Sequence, residues 1–146
     1  MNVRNILSAK GGEVVTIEPN ASLASAAKRL AACKISALVV IGAEHRVIGI
    51  LSERDIVQEL AIRGAAALDR PLSEVMTRKV TTCGQSDTIS SVMERMTEGK
   101  FRHLPVLEQS RLIGIVSIGD LVNWIISEQS STINQLHTYI AGYPSA

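Results

Sequence analysis

The chain has 146 residues, a formal net charge of +1 and 46% hydrophobic residues, whereas aromatic residues make up only 3%. This length is typical of one compact domain, whose core must be built from Val, Ile, Leu, Ala and Met. The near-neutral charge and the shortage of aromatic stacking groups argue against nucleic-acid binding. No apolar run approaches the ~20 residues of a membrane span, so we predict a globular cytoplasmic protein without a membrane partner.

The first half of the chain predicts the order β-α-β-β-α. Residues 14–17 are mostly β-branched and indicate a short strand, and Ser22 can cap a helix whose apolar side chains recur at helical spacing. A continuous apolar strand at residues 37–41 follows, of the kind found in sheets covered on both faces. A third strand at residues 46–51 leads into a second helix at residues 52–63.

The second half repeats this order. We predict a strand at residues 80–83, a helix at residues 88–98, strands at residues 103–107 and 111–116, and a helix that begins at Ser117. The predicted fold class is therefore α/β (α+β), with two β-α-β-β-α repeats packed as a pseudo-two-fold pair and an extended C-terminal helix.

Three stretches lie outside the repeated order. Residues 64–71 form a linker, and residues 72–76 predict a short helix that echoes residues 3–7. Around and after Val122, apolar residues continue at near-helical spacing, at Leu121, Trp124, Ile125, Ile133, Leu136, Tyr139 and Ile140. Such a helix either covers its own core or contacts a second copy in a homodimer, and residues 143–146 should fray.

A seven-residue motif occurs in both halves. The run Gly49-Ile50-Leu51-Ser52-Glu53-Arg54-Asp55 returns 65 residues later as Gly114-Ile115-Val116-Ser117-Ile118-Gly119-Asp120. The period exceeds the roughly 20–50 residues of solenoid repeats, so it indicates a duplicated half-domain. Because one copy alone would have a marginal core, we expect the two to pack against each other. The predicted units are residues 1–66, residues 67–127 and a C-terminal extension at residues 128–146.

The Gly-x-x-Ser-x-x-Asp motif has two interpretations. In the first, Ser52 and Ser117 are helix N-caps and Asp55 and Asp120 complete capping boxes, a structural role that stabilises a helix by roughly 1 kcal/mol. In the second, the free N–H groups and the hydroxyl at the helix start bind an anion, while the carboxylate accepts hydrogen bonds from ribose hydroxyls. The first interpretation leaves unexplained the glycine that lies three residues before each serine.

These features resemble a pair of cystathionine-β-synthase (CBS) domains, often called a Bateman module. The likeness is carried by the repeated order of elements, by the motifs at residues 49–55 and 114–120, and by the run Phe101-Arg102-His103-Leu104-Pro105-Val106. It covers roughly residues 3–127. The resemblance implies adenosyl ligands, such as AMP, ADP, ATP, NAD(H) or S-adenosylmethionine, in clefts between the paired repeats.

The resemblance also implies which residues contact the ligand. In each repeat the motif aspartate would bind the ribose, the serine would approach the phosphate or the ribose, and the opening strand would line the adenine pocket. The residues implied for the second repeat are Asp120, Ser117, Arg102, His103, Leu104, Pro105, Thr82 and Val80. Those implied for the first repeat are Asp55, Ser52, Arg54, Thr16, Val14, Lys34, Ser36 and Ala37.

The two sites are predicted to differ in their phosphate contacts. The second repeat has the basic pair Arg102 and His103, which would face the phosphate, whereas the first repeat has uncharged residues at these positions. The alternative for the pair is a solvated edge charge and a surface imidazole. In the first repeat Arg54 either contacts a phosphate or is a surface charge paired with Glu53 or Glu59. AMP is the favoured ligand, above all at the site with the basic pair, and ATP and NAD(H) are the alternatives.

The predicted function is a regulatory module that binds an adenosyl nucleotide and signals through altered packing of its homodimer or of an unidentified client protein. The alternative is a ligand-free interaction scaffold in which the Ser/Asp pairs are only helix caps. Catalysis is not expected, because His45, His103 and His137 are dispersed and no nucleophile elbow or Gly-Lys-Ser/Thr loop is present. No metal site is predicted, and Cys33 and Cys83 are expected to be reduced thiols.

Overall fold

The computed structural model describes residues 2–142, except for the side chains of residues 131 and 139–142. The α-helices within these residues are α1 (Val3–Lys10), α2 (Leu23–Cys33), α3 (Glu53–Arg63), α4 (Ile89–Gly99) and α5 (Ile118–Gly142). The strands are β1 (Thr16–Ile17), β2 (Ala37–Ile41), β3 (Val47–Ser52), β4 (His103–Glu108) and β5 (Arg111–Ser117). Short 3-10 helices lie at Ala43–His45, Gly64–Asp69 and Leu72–Glu74.

Each repeat has its own small sheet. In the first repeat β1 lies parallel to β2, and β2 is antiparallel to β3, so that β2 is the central strand. The first four residues of β2 are buried, as its continuous apolar sequence predicts. In the second repeat β4 and β5 form an antiparallel pair. The α/β class and the predicted order of elements in the first repeat are confirmed.

The predicted strand at residues 80–83 is wrong, because only Cys83 pairs with β4, through an isolated parallel bridge to Val106. The reason lies in β4. In the first repeat the N–H of Val39 donates to the carbonyl of Val15 at 3.4 Å and extends the β1–β2 ladder. The equivalent residue in the second repeat is Pro105, which has no N–H to donate. One substitution in the central strand therefore shortens its neighbour.

The helix starts follow the sequence closely, and one predicted helix does not form. Ser22 and Thr88 cap α2 and α4, each accepting a backbone hydrogen bond of 3.1 Å from the residue three positions later. The helix predicted at residues 72–76 is only the 3-10 helix Leu72–Glu74, whereas the residues it echoes form the complete helix α1. These two lead-in segments, Val3–Lys10 and residues 72–76, are therefore equivalent in position but differ in helix length.

Each lead-in segment completes the core of a repeat. Val3 and Ile6 of α1 are buried in the cluster of the second repeat, although they precede the first repeat in the chain. Leu72 and Met76, which precede the second repeat, are buried in the cluster of the first. Backbone hydrogen bonds hold both segments against the opposite repeat. For example, the N–H of Val3 donates to the carbonyl of Asp87 at 3.0 Å. The division into units 1–66, 67–127 and 128–146 stays a prediction, because each of the first two units contributes residues to the core of the other.

The lead-in segments also explain the repeated glycine of the motif. A Cβ placed on Gly114 would lie 2.6 Å from Cδ2 of Leu7, and a Cβ on Gly49 would overlap Sδ of Met76. Leu7 and Met76 are thus equivalent residues that cross directly over the third strand of a repeat. The glycine is retained because its side-chain position is already filled.

Helix α5 continues past the second repeat. Its first turns pack on the core of that repeat through Leu121, Trp124 and Ile125. Ile133 and Leu136 are 53% and 56% exposed, so the extension does not cover the core of its own chain there. The predictions for the side chains of residues 139 and 140 and for fraying at residues 143–146 lie outside the described residues. None of the helices formed by residues 2–142 is long and apolar enough to span a membrane.

Candidate functional site

The first motif forms a capping box at the junction of β3 and α3. The carboxylate Oδ2 of Asp55 accepts the N–H of Ser52 at 2.8 Å and its hydroxyl at 3.1 Å. In return the Ser52 hydroxyl accepts the N–H of Asp55 at 3.3 Å. The capping prediction is therefore confirmed for this motif. The other carboxylate oxygen, Oδ1, accepts no hydrogen bond from the described residues.

The second motif has the same cap and one further partner. Oδ2 of Asp120 accepts the N–H of Ser117 at 2.8 Å, and the Ser117 hydroxyl accepts the N–H of Asp120 at 3.1 Å. In addition Nζ of Lys10, the last residue of α1, donates to Oδ2 at 2.7 Å. Burial raises the pKa of the Asp120 carboxyl, but the bonds from Lys10 and Ser117 outweigh it and hold that pKa below its usual range.

Two cavities lie where the repeats meet, and each borders one motif. The Asp120 cavity has a volume of about 830 Å³ and is lined by Ser117 and Asp120 of the second repeat. The first repeat contributes the opposite wall. Its contribution consists of Glu13, Val14, Val15, Ala27, Leu30, Ala31, Lys34, Ile35, Ser36, Ala37, Glu53, Ile56 and Val57. The end of α1 closes the cavity with Lys10.

The Asp55 cavity is smaller, about 540 Å³, and has the reciprocal composition. Its first-repeat residues are Ser36, Ala37, Ile50, Ser52, Glu53, Arg54, Asp55 and Val57. The second repeat faces them with Thr77, Lys100, Phe101, Arg102 and His103. Both cavities fall within the 300–1,000 Å³ of typical small-molecule sites, so each is large enough for one adenosyl group.

The two cavities share a wall. Oγ of Ser36 and Nε2 of His103 are hydrogen-bonded at 2.8 Å across the interface of the repeats, and both residues border both cavities. Burial is the main cause that lowers the pKa of His103, and the nearby charge of Asp120 opposes it. His103 is therefore a half-buried, inter-repeat residue and not a surface imidazole.

The structure brings together different sets of residues from those predicted within each repeat. Arg102 borders the Asp55 cavity, not the Asp120 cavity, and Lys34 borders the Asp120 cavity, not the Asp55 cavity. Each motif thus faces the other repeat, because the pseudo-two-fold pairing turns the motif of one copy toward the strand edge of its partner.

Five predicted residues border neither cavity. Val80 and Thr82 lie in the segment that forms no strand, and Leu104 and Pro105 are buried inside β4. Thr16 borders a separate cavity of about 720 Å³. The opening segments therefore reach the two clefts only through Val14 among the predicted adenine contacts. Which of all these residues touch a ligand stays a prediction.

The predicted site residues do not include several that border the clefts, among them Lys10, Thr77, Lys100 and Phe101. Lys100 was detectable, because it is the repeat partner of Lys34. Both lysines are helix C-caps in the left-handed conformation, with φ of 54° at Lys34 and 58° at Lys100. That conformation favours glycine, so a lysine at both caps is a feature that helix capping alone does not explain.

The clefts differ in charge. The Asp55 cavity has three permanent cations, Arg54, Lys100 and Arg102. Arg54 forms no ion pair within residues 2–142, and Glu59 instead binds Arg63 and Arg70 at 3.1 and 2.7 Å. The Asp120 cavity has two lysines, and one of them is already paired with Asp120.

The described residues contain no group of three or more His, Cys, Asp and Glu side chains that could hold a metal ion. The clefts offer hydrogen-bond acceptors, cations and apolar walls. These groups are suited to holding a ligand with a flat apolar ring, hydroxyls and an anionic end.

Two α/β repeats that share two clefts across their interface define a tandem-repeat module. The family model described as CBS domain matches residues 3–62 and 72–127. The chain therefore belongs to the CBS-domain family, and the predicted pairing of two CBS repeats is confirmed.

Relatives support this membership. The chain is 33% identical over 134 residues to an uncharacterized 17.7 kDa protein of Acidianus ambivalens, with 91% of this chain and 75% of that protein covered. It is 31% identical over 121 residues to the mitochondrial CBS domain-containing protein CBSX3 of Arabidopsis thaliana, but spans only 59% of its length.

Solved structures have the same fold. The CBS-domain containing protein ATU1752 from Agrobacterium tumefaciens matches with a TM-score of 0.81 and 47% identity, over 84% of this chain and 91% of that one. The CBS domain pair of protein MJ0100, solved in complex with 5′-methylthioadenosine and S-adenosyl-L-methionine, matches with a TM-score of 0.79 and 26% identity, over 88% and 98% of the two chains. That pair is thus a homologue with adenosyl ligands.

Proposed function

We propose that this chain is a regulatory module that binds one adenosyl ligand in each of its two inter-repeat cavities. The observation that carries the proposal is the position of Asp55 and Asp120. Each carboxylate is fixed by a helix cap at the border of a nucleotide-sized cavity. Each also keeps Oδ1 without a donor among the described residues, as an acceptor for a ribose hydroxyl.

The cations favour a phosphate in the Asp55 cavity. Arg54 lies on the first turn of α3, where the helix N-terminus also attracts anions, and Lys100 and Arg102 face it from the second repeat. AMP is the favoured ligand of this cavity. The Asp120 cavity is larger and would take a different adenosyl ligand, and ATP and NAD(H), which are longer than AMP, are the first to test there.

The test is isothermal titration calorimetry with AMP, ATP, NAD(H) and S-adenosylmethionine, supported by thermal-shift measurements. We expect two unequal sites, of which Asp55→Ala weakens one and Asp120→Ala the other. Asp87→Ala is the matched control. Asp87 caps its own turn by accepting the N–H of Gly84 at 2.7 Å, but borders neither cavity, so its loss should lower stability without changing affinity. Absence of binding by all four ligands would sink the proposal.

The second candidate is a ligand-free interaction scaffold, which the capping hydrogen bonds of both motifs favour. In that case Asp55→Ala and Asp120→Ala would lower the melting temperature as much as Asp87→Ala does, and no adenosyl compound would raise it. The thermal-shift data therefore separate the two candidates.

We also propose that the module works as a homodimer, in the cytoplasm, without a catalytic role of its own, and passes its signal to an unidentified client protein. Exposed apolar residues on the two motif helices support association, with Val57 at 63%, Val122 at 42% and Ile126 at 55% exposure. Ile126→Glu should convert a dimer into a monomer in light scattering. A wild-type monomer at micromolar concentration would contradict the dimer, and turnover of a bound nucleotide would contradict the non-catalytic role.

A further inference from the structure

The ion pair between Lys10 and Asp120 joins the end of α1 to the carboxylate that borders the Asp120 cavity. Nζ of Lys10 lies 2.7 Å from Oδ2 of Asp120 and also donates to the carbonyl of Ile115 at 3.0 Å. The side chains of Lys10 and Asp120 are 34% and 23% exposed, so the pair is partly shielded from solvent. A pair of this kind is worth more than a fully solvated one.

The Asp55 cavity has no such pair. Leu7 and Met76 occupy equivalent positions over Gly114 and Gly49, so the residue equivalent to Lys10, three positions later, is Lys79. Lys79 is exposed and does not border the Asp55 cavity. Among the described residues Asp55 forms no ion pair, and its Oδ2 is bound only within the motif. The shorter second lead-in segment thus leaves one carboxylate without a lysine.

We infer that Lys10 is a specificity-determining residue of the Asp120 cavity, where it competes with the ribose of the ligand for Asp120. This inference rests on the proposed function. A vicinal diol engages a carboxylate best through both oxygens, but Oδ2 already accepts the N–H of Ser117 and the ammonium of Lys10. An adenosyl ligand must therefore displace Lys10 before both of its ribose hydroxyls bind.

The competition acts differently on charged and uncharged ligands. Adenosine carries no charge, so replacing Lys10 by methionine removes only its competitor. AMP loses the competitor too, but it also loses one of the two lysine charges that border the cavity, where Glu13 and Glu53 remain. Removal of Lys10 should consequently strengthen adenosine binding and shift the preference of the cavity away from AMP.

The experiment measures adenosine and AMP affinities by calorimetry in the Asp55→Ala protein, so that only the Asp120 cavity binds. If that variant does not fold, Asp55→Asn, which keeps the shape of the side chain, is used in place of Asp55→Ala. Lys10→Met should raise the adenosine affinity about three- to tenfold, as expected for a partly exposed charged hydrogen bond, and lower the ratio of AMP to adenosine affinity. Lys79→Met, the matched control, should change neither value.

An unchanged affinity ratio in Lys10→Met, with binding otherwise intact, would overturn the role of Lys10 and leave the proposed function standing. An equal shift in Lys79→Met would overturn it as well, because the effect would then come from the net charge. If wild-type protein binds no adenosyl compound at all, the proposed function fails and the inference fails with it.

Discussion

Replacing Gly114 by alanine tests whether the motif glycine is retained for the packing of Leu7. The new Cβ would lie 2.6 Å from Cδ2 of Leu7, closer than non-bonded carbon atoms approach in proteins, so Leu7 must move. Overpacking of this kind costs about 1–3 kcal/mol. Alanine also restricts the unfolded chain, because glycine is the most flexible residue, and this effect offsets about 0.5–1 kcal/mol of the destabilisation. We therefore expect a net destabilisation of about 1 kcal/mol.

The measurement is urea unfolding followed by circular dichroism, and thermal unfolding, where about 1 kcal/mol corresponds to about 2–4 °C in a chain of this size. A double-mutant cycle with Leu7→Ala isolates the contact. Leu7→Ala makes room for the new methyl group, so the two changes together should be about 1 kcal/mol less harmful than their sum. Gly84→Ala is the control, because a Cβ there would meet nothing nearer than 3.7 Å.

Two outcomes would refute this reasoning. One is a Gly114→Ala protein that is as stable as the wild type. The other is strict additivity with Leu7→Ala, which would mean that the glycine and the leucine do not share one space. Either result would leave contact with a ligand as the explanation for the repeated glycine.

Three further predictions concern single side chains. Because burial lowers the pKa of His103, the unfolded chain binds a proton at this residue more readily than the folded chain, and the free energy of unfolding should fall as the pH drops below ~6.5. His103→Gln should flatten this part of the stability–pH curve, and an unchanged slope would contradict the role of His103. Burial raises the pKa of Cys83 to about 11, whereas Cys33 is exposed, so a thiol reagent at pH 8 should modify one cysteine in folded protein and two after unfolding; two reactive thiols in the folded state would disprove this. Lys100→Gly should raise stability by up to ~1 kcal/mol, because glycine suits the left-handed cap, while weakening AMP binding at the Asp55 cavity; unchanged AMP affinity would remove Lys100 from the proposed phosphate contacts.

The local structure was predictable wherever a short segment decides its own conformation. The apolar run of β2 and the serine cap of α3 each predict an element whose observed bounds agree to within one residue. The strand at residues 80–83 failed because its formation depends on a donor in another strand, which Pro105 lacks. Propensity within the segment contains no information about that partner.

The grouping of the site could not be predicted from either repeat alone. The residues of each cleft come from both copies. Aligning one copy with the other therefore locates Asp55 and Asp120 at the borders of the two cavities but groups Arg102 with Asp120, whereas Arg102 borders the Asp55 cavity. The repeat pattern does identify Lys100 through Lys34. Lys10 is different, because its position beside Asp120 follows from the packing of α1 on the second repeat. The sequence around Lys10 does not predict that packing.

The exchange of lead-in segments has a consequence for how the chain can be divided. The stretch that contains a whole core runs from about residue 13 to residue 79, since Leu72 and Met76 belong to the first cluster. The second cluster is discontinuous in the chain, because it needs Val3 and Ile6 from the opposite end. A gene encoding a single repeat would therefore have to carry the segment that follows its last helix. Moving the residues of α1 from the start of the chain to a position behind the second repeat would give a rearranged chain in which both cores are contiguous.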